Sequence, residues 1–152
     1  MQNILDKIGF YGIFILFFIN IVYLRKQQGY FWFYLIFIFV NEYLNRVLKL
    51  IIREDRPQGY DNVLEVNNVY TGAHVYGMPS GHSQSAFFST AYLWFVTGSV
   101  PLLLFELFIC ALTVYQRWKY KKHTILQLTV GGIVGILFAN SVYYLVKKRI
   151  LV

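Results

Sequence analysis

Charged residues are scarce in this chain, in which Asp, Glu, Lys and Arg make up only 14% of 152 residues. Soluble domains usually carry about 25% charged residues. Hydrophobic residues make up 57% of the chain, and they are gathered into long runs of the kind found in membrane proteins. The scarcity of charge and the long apolar runs therefore argue against a soluble domain and predict an integral membrane protein.

Cysteine and acidic residues are also few. Cys110 is the only cysteine, so an internal disulfide is excluded. The sequence has 7 Asp and Glu against 14 Lys and Arg, and no acidic cluster of the metal-ligating type, so we expect neither a metal nor another cofactor. Glu106 lies inside an apolar run without an obvious partner, and its role is left open. The cations flank the apolar runs, which favours lipid headgroups or a phosphate substrate over nucleic acid.

Five apolar runs predict an all-α bundle of about five transmembrane helices, because each run is near the length that crosses a hydrocarbon core of about 30 Å. The predicted helices are 8–24, 31–52, 79–96, 100–115 and 124–146. We expect Pro57 to end the second helix and Pro79 to be the first residue of the third. Residues 53–78 are predicted to form a polar loop. With five crossings, the loops after the second and fourth helices lie at one membrane face.

The whole chain, residues 1–152, is expected to form a single membrane domain, since it shows no repeat and no low-complexity segment. Arg25 and Lys26 follow the first run without a small-residue cleavage site, which predicts an uncleaved helix. Every polar cluster lies downstream of that helix. Residues 1–30 are therefore predicted to pack peripherally on a catalytic core formed by residues 31–152.

Polar residues cluster at the face that the second and fourth loops share. Three segments contribute them: Lys49, Arg53 and Arg56; Ser80, Gly81 and His82; Arg117 and His123. Spacings of four and seven place the first group roughly on one helical face, and the second group opens a helix, where backbone N–H groups bind anions. Guanidinium and ammonium groups suit a tetrahedral phosphate. One histidine can attack phosphorus while the other protonates the leaving oxygen.

Three motifs in this cluster resemble those of the type 2 phosphatidic acid phosphatase (PAP2) superfamily. KLIIREDRP (49–57) is similar to its K-x6-R-P motif, PSGH (79–82) to its second motif, and QRWKYKKHTILQ (116–127) to its third, S-R-x5-H-x3-D. The third motif has Gln116 in place of the serine and Gln127 in place of the aspartate. The surrounding sequence resembles the dolichyl-diphosphatase branch most closely, and a glutamine occurs there too at the second of these positions.

The resemblance implies an enzyme in which His123 is the nucleophile that forms a phosphohistidine. It implies that His82 is the general acid for the leaving lipid oxygen. Gln127 would accept a hydrogen bond from the His123 ring and fix its tautomer, although it cannot stabilise an imidazolium as a carboxylate would. The residues that would hold the phosphate are Lys49, Arg56, Ser80, Gly81 and Arg117.

The same resemblance favours a polyprenyl or dolichyl diphosphate as substrate, hydrolysed without a metal. Alternatives within the class are a phosphatidate, a sphingolipid phosphate and a phosphatidylglycerophosphate. A non-catalytic lipid-phosphate-binding protein would need the cations but not His123, and a small transporter would need broken helices and internal repeats. We expect an endoplasmic reticulum, plasma or inner membrane, with the site facing the lumen or exterior and no nucleic-acid partner. The oligomeric state is left open.

Residues outside the motifs carry further expectations. His74 is expected to be a solvated loop residue, and Glu42 and Arg46 are expected to form a structural ion pair that supports Lys49. Gly131 and Gly135 form a G-x3-G pattern that predicts close helix packing. Three lysines of the basic loop are expected to face anionic headgroups: Lys119, Lys121 and Lys122.

Overall fold

The computed structural model describes residues 3–59 and 70–150. It contains α1 (Ile4–Leu24), α2 (Gln28–Ile52), α3 (Gly81–Thr97), α4 (Val100–Lys119) and α5 (Ile125–Ile150), with a 3₁₀ helix at Gly72–Val75. Within these ranges no strand forms, and the all-α prediction is confirmed. Part of the predicted polar loop, residues 60–69, lies outside the described residues.

Among the described residues, three helices are long and apolar enough to cross a membrane: α1, α4 and α5. The helix α2 is also long, but its C-terminal half carries polar residues that include Asn41, Asn45 and Lys49, all buried. The helix α3 has 17 residues and packs against all four other helices. The chain is therefore an integral membrane bundle in which α3 is the central helix and α2 turns its polar half inward.

Glycines let α5 approach α3 at the end of the bundle that carries the polar cluster. A Cβ added at Gly131 would lie 2.6 Å from Ser80 O, and one added at Gly135 would lie 2.9 Å from Phe88 N. The G-x3-G prediction of close packing is thus confirmed. Because these contacts are with the first turns of α3, they bring the start of α5 against the start of α3.

Several helix boundaries differ from the sequence prediction by a few residues. The helix α2 ends at Ile52 as predicted, but the left-handed backbone of Arg53, with φ 52°, ends it before Pro57 is reached. Arg53 is exposed and donates from Nε to Leu50 O at 2.8 Å, so it does not share a helical face with Arg56. The helix α3 begins at Gly81, with Ser80 as N-cap, so Pro79 precedes the helix and is not its first residue.

The helix α1 begins at Ile4, four residues earlier than predicted, because Asn3 and Asp6 form a capping box. It packs mainly along α4 and also contacts α3 and α2. Glu106 of α4 has its partner here, since Asn20 Nδ2 of α1 donates to Glu106 Oε1 at 3.1 Å. Both side chains are buried, so this polar contact lies inside the interface between the two helices.

Candidate active site

A cavity of about 330 Å³ lies where the ends of α2 and α4 meet the start of α3. Residues predicted from the motifs line much of it: Lys49, Arg56, Gly81, His82, Arg117 and His123. The other lining residues are Ile13, Glu42, Asn45, Arg46, Tyr70, His74 and Ser85. The structure thus gathers the cations and both histidines of the three motifs around one space.

Arg56 joins three segments at one side of the cavity. Its Nε and Nη2 donate to His74 O at 3.1 and 3.0 Å, and its Nη1 donates to Lys122 O at 3.0 Å. The same Nη1 lies 3.2 Å from His123 Nε2, and the guanidinium stacks on the Tyr70 ring, 3.9 Å from its centroid. A phosphate in the cavity would therefore meet a guanidinium already oriented beside the histidine.

The tautomer of His123 follows from these contacts. A guanidinium only donates hydrogen bonds, so Nε2 accepts from Arg56 and the ring proton resides on Nδ1. Nδ1 lies 3.3 Å from Gln127 Oε1, and it donates there. The Gln127 amide is oriented in turn, because its Nε2 donates to Glu54 Oε1 at 2.7 Å and to Asp55 O at 2.8 Å. The Nε2 lone pair of His123 thus lies at the cavity wall with Arg56 Nη1 as its donor, and a phosphate that draws the guanidinium to itself would leave it free to attack.

The pKa of His123 lies well below the ordinary histidine value. Burial is the largest cause, since the side chain leaves water, and the charges of Arg56, Lys49 and Arg117 oppose a further positive charge. The hydrogen bond to Gln127 acts in the opposite direction. His123 is therefore a neutral imidazole at neutral pH, which is the form that can attack phosphorus.

His82 and Arg117 line the cavity in direct contact with each other. His82 lies in the first turn of α3, and Arg117 is buried in the last turn of α4 with Nη2 in contact with His82 Nε2. Because a guanidinium only donates, His82 Nε2 accepts here. For His82 to act as an acid, a bound phosphate must draw Arg117 to itself and leave Nε2 free to carry a proton.

Lys49 and the start of α3 complete the cationic wall. Lys49 Nζ donates to Tyr76 O at 2.7 Å. Gly81 lines the cavity, and a Cβ there would lie 3.1 Å from Asn45 Oδ1. Ser80 is placed differently from the other predicted phosphate ligands. Its Oγ caps α3, its N donates to Gln127 O at 3.0 Å, and it is absent from the cavity lining.

Several residues of the site are not specified by any of the three motifs. Asn45 Nδ2 donates to Pro79 O at 3.2 Å and to Gln84 Oε1 at 2.8 Å, which holds the start of α3 against α2. Glu54 and Asp55 lie inside the first motif, at its variable positions, and orient Gln127. The spacing of Asn45 one turn before Lys49 was the available signal, since it places both on the same face of α2.

The expectation for His74 is wrong. Instead of being a solvated loop residue, His74 lines the cavity, and its carbonyl accepts both hydrogen bonds from Arg56. Glu42 and Arg46 do form the predicted i,i+4 ion pair, with Oε1 3.5 Å from Nε, and both line the cavity. The pair thus lines the same cavity as Lys49.

Two of the three lysines expected at the headgroups have partners within the protein. Lys119 forms an ion pair with the buried Asp6 of α1, with Nζ 2.8 Å from Oδ1. Lys122 is buried, and its Nζ lies 3.2 Å from the Tyr70 hydroxyl. Lys121 is exposed, and so is Lys119 despite its ion pair, whereas Lys122 is buried. Contacts with other side chains of the protein therefore involve two of the three lysines in this loop.

An apolar groove of about 360 Å³ adjoins the cavity between α1 and α2. The two spaces share Ile13, Glu42 and Ser85. The remaining residues of the groove are almost all apolar: Phe14, Phe17, Ile38, Phe39 and Ser89. A ligand with an anionic head and a hydrocarbon chain would fit this pair of spaces.

No group of three or more His, Cys, Asp or Glu residues that could hold a metal ion is found in residues 3–59 and 70–150. The charges that surround the cavity are mostly cationic, from Lys49, Arg56, Arg117 and Arg46, with Glu42 as the one lining carboxylate in this part of the chain. This donor set suits an anion.

Comparison with known proteins agrees with the motifs. The chain is similar to a dolichyldiphosphatase of Saccharomyces cerevisiae, 29% identical over 115 residues that cover 65% of this chain and 46% of the relative. It is also similar to lipid phosphate phosphatase epsilon 2, chloroplastic, of Arabidopsis thaliana, 33% identical over 112 residues that cover 68% of this chain and 35% of the relative.

The chain thus spans less than half the length of these curated relatives. No solved structure matches it. Residues 30–151, which include all three motifs and every helix after α1 apart from two residues at the start of α2, match the PAP2 superfamily. The chain therefore belongs to the PAP2 superfamily.

Proposed function

We propose that this protein is a membrane lipid phosphatase that hydrolyses a lipid-linked phosphate or diphosphate, without a metal, through a phosphohistidine at His123. The observation that carries the proposal is the placement of a neutral His123 between Gln127 and Arg56 in a cationic cavity. A phosphate bound by Lys49, Arg56 and Arg117 would draw the Arg56 guanidinium to its own oxygens and free the Nε2 lone pair for attack.

The reaction proceeds in two displacements at phosphorus. In the first, His123 Nε2 forms a bond to the terminal phosphorus, the bond from that phosphorus to the leaving oxygen breaks, and protonated His82 gives its proton to that oxygen. The leaving oxygen is the lipid oxygen of a monophosphate or the bridging oxygen of a diphosphate, and in the second case the lipid monophosphate departs. In the second, His82 takes a proton from water, and the resulting hydroxide displaces His123 to release inorganic phosphate. Lys49, Arg56 and Arg117 neutralise the charge that develops on the phosphate oxygens.

The groove beside the cavity supports a lipid substrate over a water-soluble phosphate ester. Phosphate in the cavity would place the attached chain at Ile13, Glu42 and Ser85, where the apolar groove begins. Among lipids we favour a polyprenyl diphosphate, in keeping with the name of the yeast relative. Arg46 lies at the rim of the cavity and would contact the second phosphate of such a substrate.

The proposed site faces the lumen or the exterior. Arg25, Lys26 and the cluster 147–149 lie at the opposite end of the bundle, which the positive-inside rule places in the cytoplasm. Lys119, Lys121 and Lys122 argue against this orientation by charge alone. Lys119 and Lys122 are bonded within the protein, to Asp6 and Tyr70, so they are poor reporters of topology, and the opposing charge of the exposed Lys121 is outweighed by the cations at the other end.

A phosphate-release assay on the purified protein in lipid nanodiscs, with chelator present, tests the function. The panel consists of a polyprenyl diphosphate, a polyprenyl monophosphate, a phosphatidate, a sphingolipid phosphate and a phosphatidylglycerophosphate. We expect turnover of at least one, fastest for the polyprenyl diphosphate. Binding of these lipids without any turnover would contradict the proposal and favour the non-catalytic lipid-phosphate-binding alternative.

A further inference from the structure

Asp6, in the first turn of α1, is buried and forms hydrogen bonds with residues at the C-terminal end of α4. Lys119 Nζ lies 2.8 Å from both carboxylate oxygens, and the Tyr120 hydroxyl donates to Oδ2 at 2.9 Å. The side chain of Asp6 is 1% exposed. A buried carboxylate is costly unless it is paired and hydrogen-bonded, so these contacts hold α1 and the end of α4 together.

The residues that Asp6 binds lie between two residues of the proposed active site. The helix α4 ends in a Schellman motif, in which Lys121 has φ 52° and its N donates to Trp118 O at 2.9 Å. Lys122 N then donates to Arg117 O at 2.9 Å. This turn carries the chain from Arg117 to His123, and its first residues, Lys119 and Tyr120, are the ones that Asp6 anchors.

The next turns of α1 continue the contact toward the cavity. A Cβ at Gly9 would lie 2.8 Å from Gln116 Cβ, so the glycine allows α1 to approach α4 closely. The Phe10 ring faces the Arg117 guanidinium, with Cζ 5.2 Å from the ring centroid. Ile13 lines the cavity itself. One face of α1 therefore follows the path from the anchored turn to the phosphate site.

We propose that Asp6 is a positioning residue for the phosphatase reaction and that α1 is part of the active-site structure rather than a peripheral helix. The ion pair with Lys119 fixes the turn that sets the distance between Arg117 and His123. The proposal rests on the proposed function, and it concerns a helix that precedes the matched family region, residues 30–151.

The test compares Asp6→Asn, Lys119→Met and the double variant in the phosphate-release assay. Each single change breaks the same ion pair, so we expect each to lower kcat/KM by about 10- to 100-fold, the scale of a displaced catalytic group. The kcat/KM of the double variant should be no lower than that of the less active single variant, because the two residues act as one unit. Lys121→Gln is the matched control, since it removes an exposed charge from the same turn.

A second readout separates positioning from simple stabilisation. Arg117 and His123 contact phosphate in the proposed site, so the inhibition constant of inorganic phosphate should rise in Asp6→Asn together with the loss of kcat/KM. Tyr120→Phe removes a single hydroxyl and tests the same anchor if Asp6→Asn does not fold, with a smaller loss of the same kind.

Unchanged kcat/KM and unchanged phosphate inhibition in Asp6→Asn, with only a lower melting temperature, would overturn the proposal. Phosphate release by the wild-type protein distinguishes failure of this proposal from failure of the proposed function. If it releases no phosphate from any lipid, the proposed function fails. Thermal stabilisation by inorganic phosphate, compared between wild type and Asp6→Asn, then still decides whether Asp6 shapes the anion site.

Discussion

Nδ1 of His123 lies 3.3 Å from Oε1 of Gln127, the residue that stands where the third family motif has an aspartate. The amide cannot rotate freely, because its Nε2 donates to Glu54 Oε1 at 2.7 Å. A glutamine oriented by a carboxylate thus fixes the ring tautomer by geometry alone. In the proposed reaction, stabilisation of a positive imidazolium would fall mainly to the phosphate that the ring attacks.

Glu54 and Gln127 are expected to tolerate a coupled exchange but not a single one. Gln127→Glu places two carboxylates face to face and loses the hydrogen bond to Glu54, so kcat should fall by about tenfold or more. In the double variant, Gln127→Glu with Glu54→Gln, the amide at position 54 donates to the carboxylate at position 127. The hydrogen bond is thereby restored, and kcat should recover most of the loss. Steady-state kinetics of the wild type and these two variants checks this, and a double variant no better than Gln127→Glu would contradict it.

His123→Ala should abolish turnover while leaving the fold and phosphate binding largely intact. Removal of an attacking nucleophile typically costs several powers of ten in kcat, so we expect a loss of at least about 1,000-fold. The side chain is one of several anion contacts, so the affinity for inorganic phosphate should change only a few-fold. His74→Ala is a useful comparison, since Arg56 binds the backbone carbonyl of His74 and the imidazole is dispensable for that contact. Near-normal turnover in His123→Ala would rule out the phosphohistidine.

The acid limb of kcat/KM should lie below about pH 6.5, the reference value for histidine. Burial and the neighbouring cations lower the pKa of His123 in the free enzyme. A lowered pKa keeps the imidazole neutral, and able to attack, at pH values where an ordinary histidine is already protonated. The limb in kcat/KM reports the free enzyme, so a pH series at low substrate concentration is the measurement.

Arg56→Ala should move that acid limb to higher pH, in addition to lowering the rate. Arg56 is the largest of the charges that depress the pKa of His123, so its removal raises that pKa toward the ordinary value. Arg53→Ala serves as the control, because Arg53 is an exposed cation that bonds to Leu50 O and lies outside the cavity. An unmoved limb in Arg56→Ala would show that another group controls it.

Membrane orientation can be tested with single cysteines at Gln58 and Lys148, both exposed, in a Cys110→Ala background. They lie at opposite ends of the bundle. If the site faces the exterior or lumen, an impermeant thiol reagent on the outside of cells or on oriented vesicles should label position 58 and spare position 148. The reverse pattern would place the site in the cytoplasm.

The motifs predicted which cations would meet, because each lies within a few residues of a helix end and all the ends share one face. The prediction for Arg53 was wrong, since Arg53 itself adopts the left-handed backbone that ends α2, and its side chain is exposed. His74 and Lys122 were misassigned for a related reason. Their contacts, with Arg56 and Tyr70, join residues far apart in sequence, and periodicity within a helix carries no information about them.

The partner of Glu106 could not be predicted from sequence spacing either. Its partner, Asn20, is 86 residues away, and no spacing rule connects them. The three apolar helices, by contrast, follow directly from composition, since few residues other than hydrophobic ones occur along them. Hydrophobicity thus predicted the five helices, of which three are long and apolar enough within the described residues to cross a membrane. The polar contacts inside the bundle required the packed structure.

The contact between Asn20 and Glu106 also determines whether α1 can be exchanged for another helix. Two polar groups that must meet inside an apolar interface fix both the rotation and the depth of α1 relative to α4, as a buried polar residue fixes the register of a coiled coil. With Asp6 bound at one end and Asn20 further along, the helix has two fixed points. An unrelated membrane anchor of equal length and hydrophobicity would insert the chain into the bilayer without restoring that alignment.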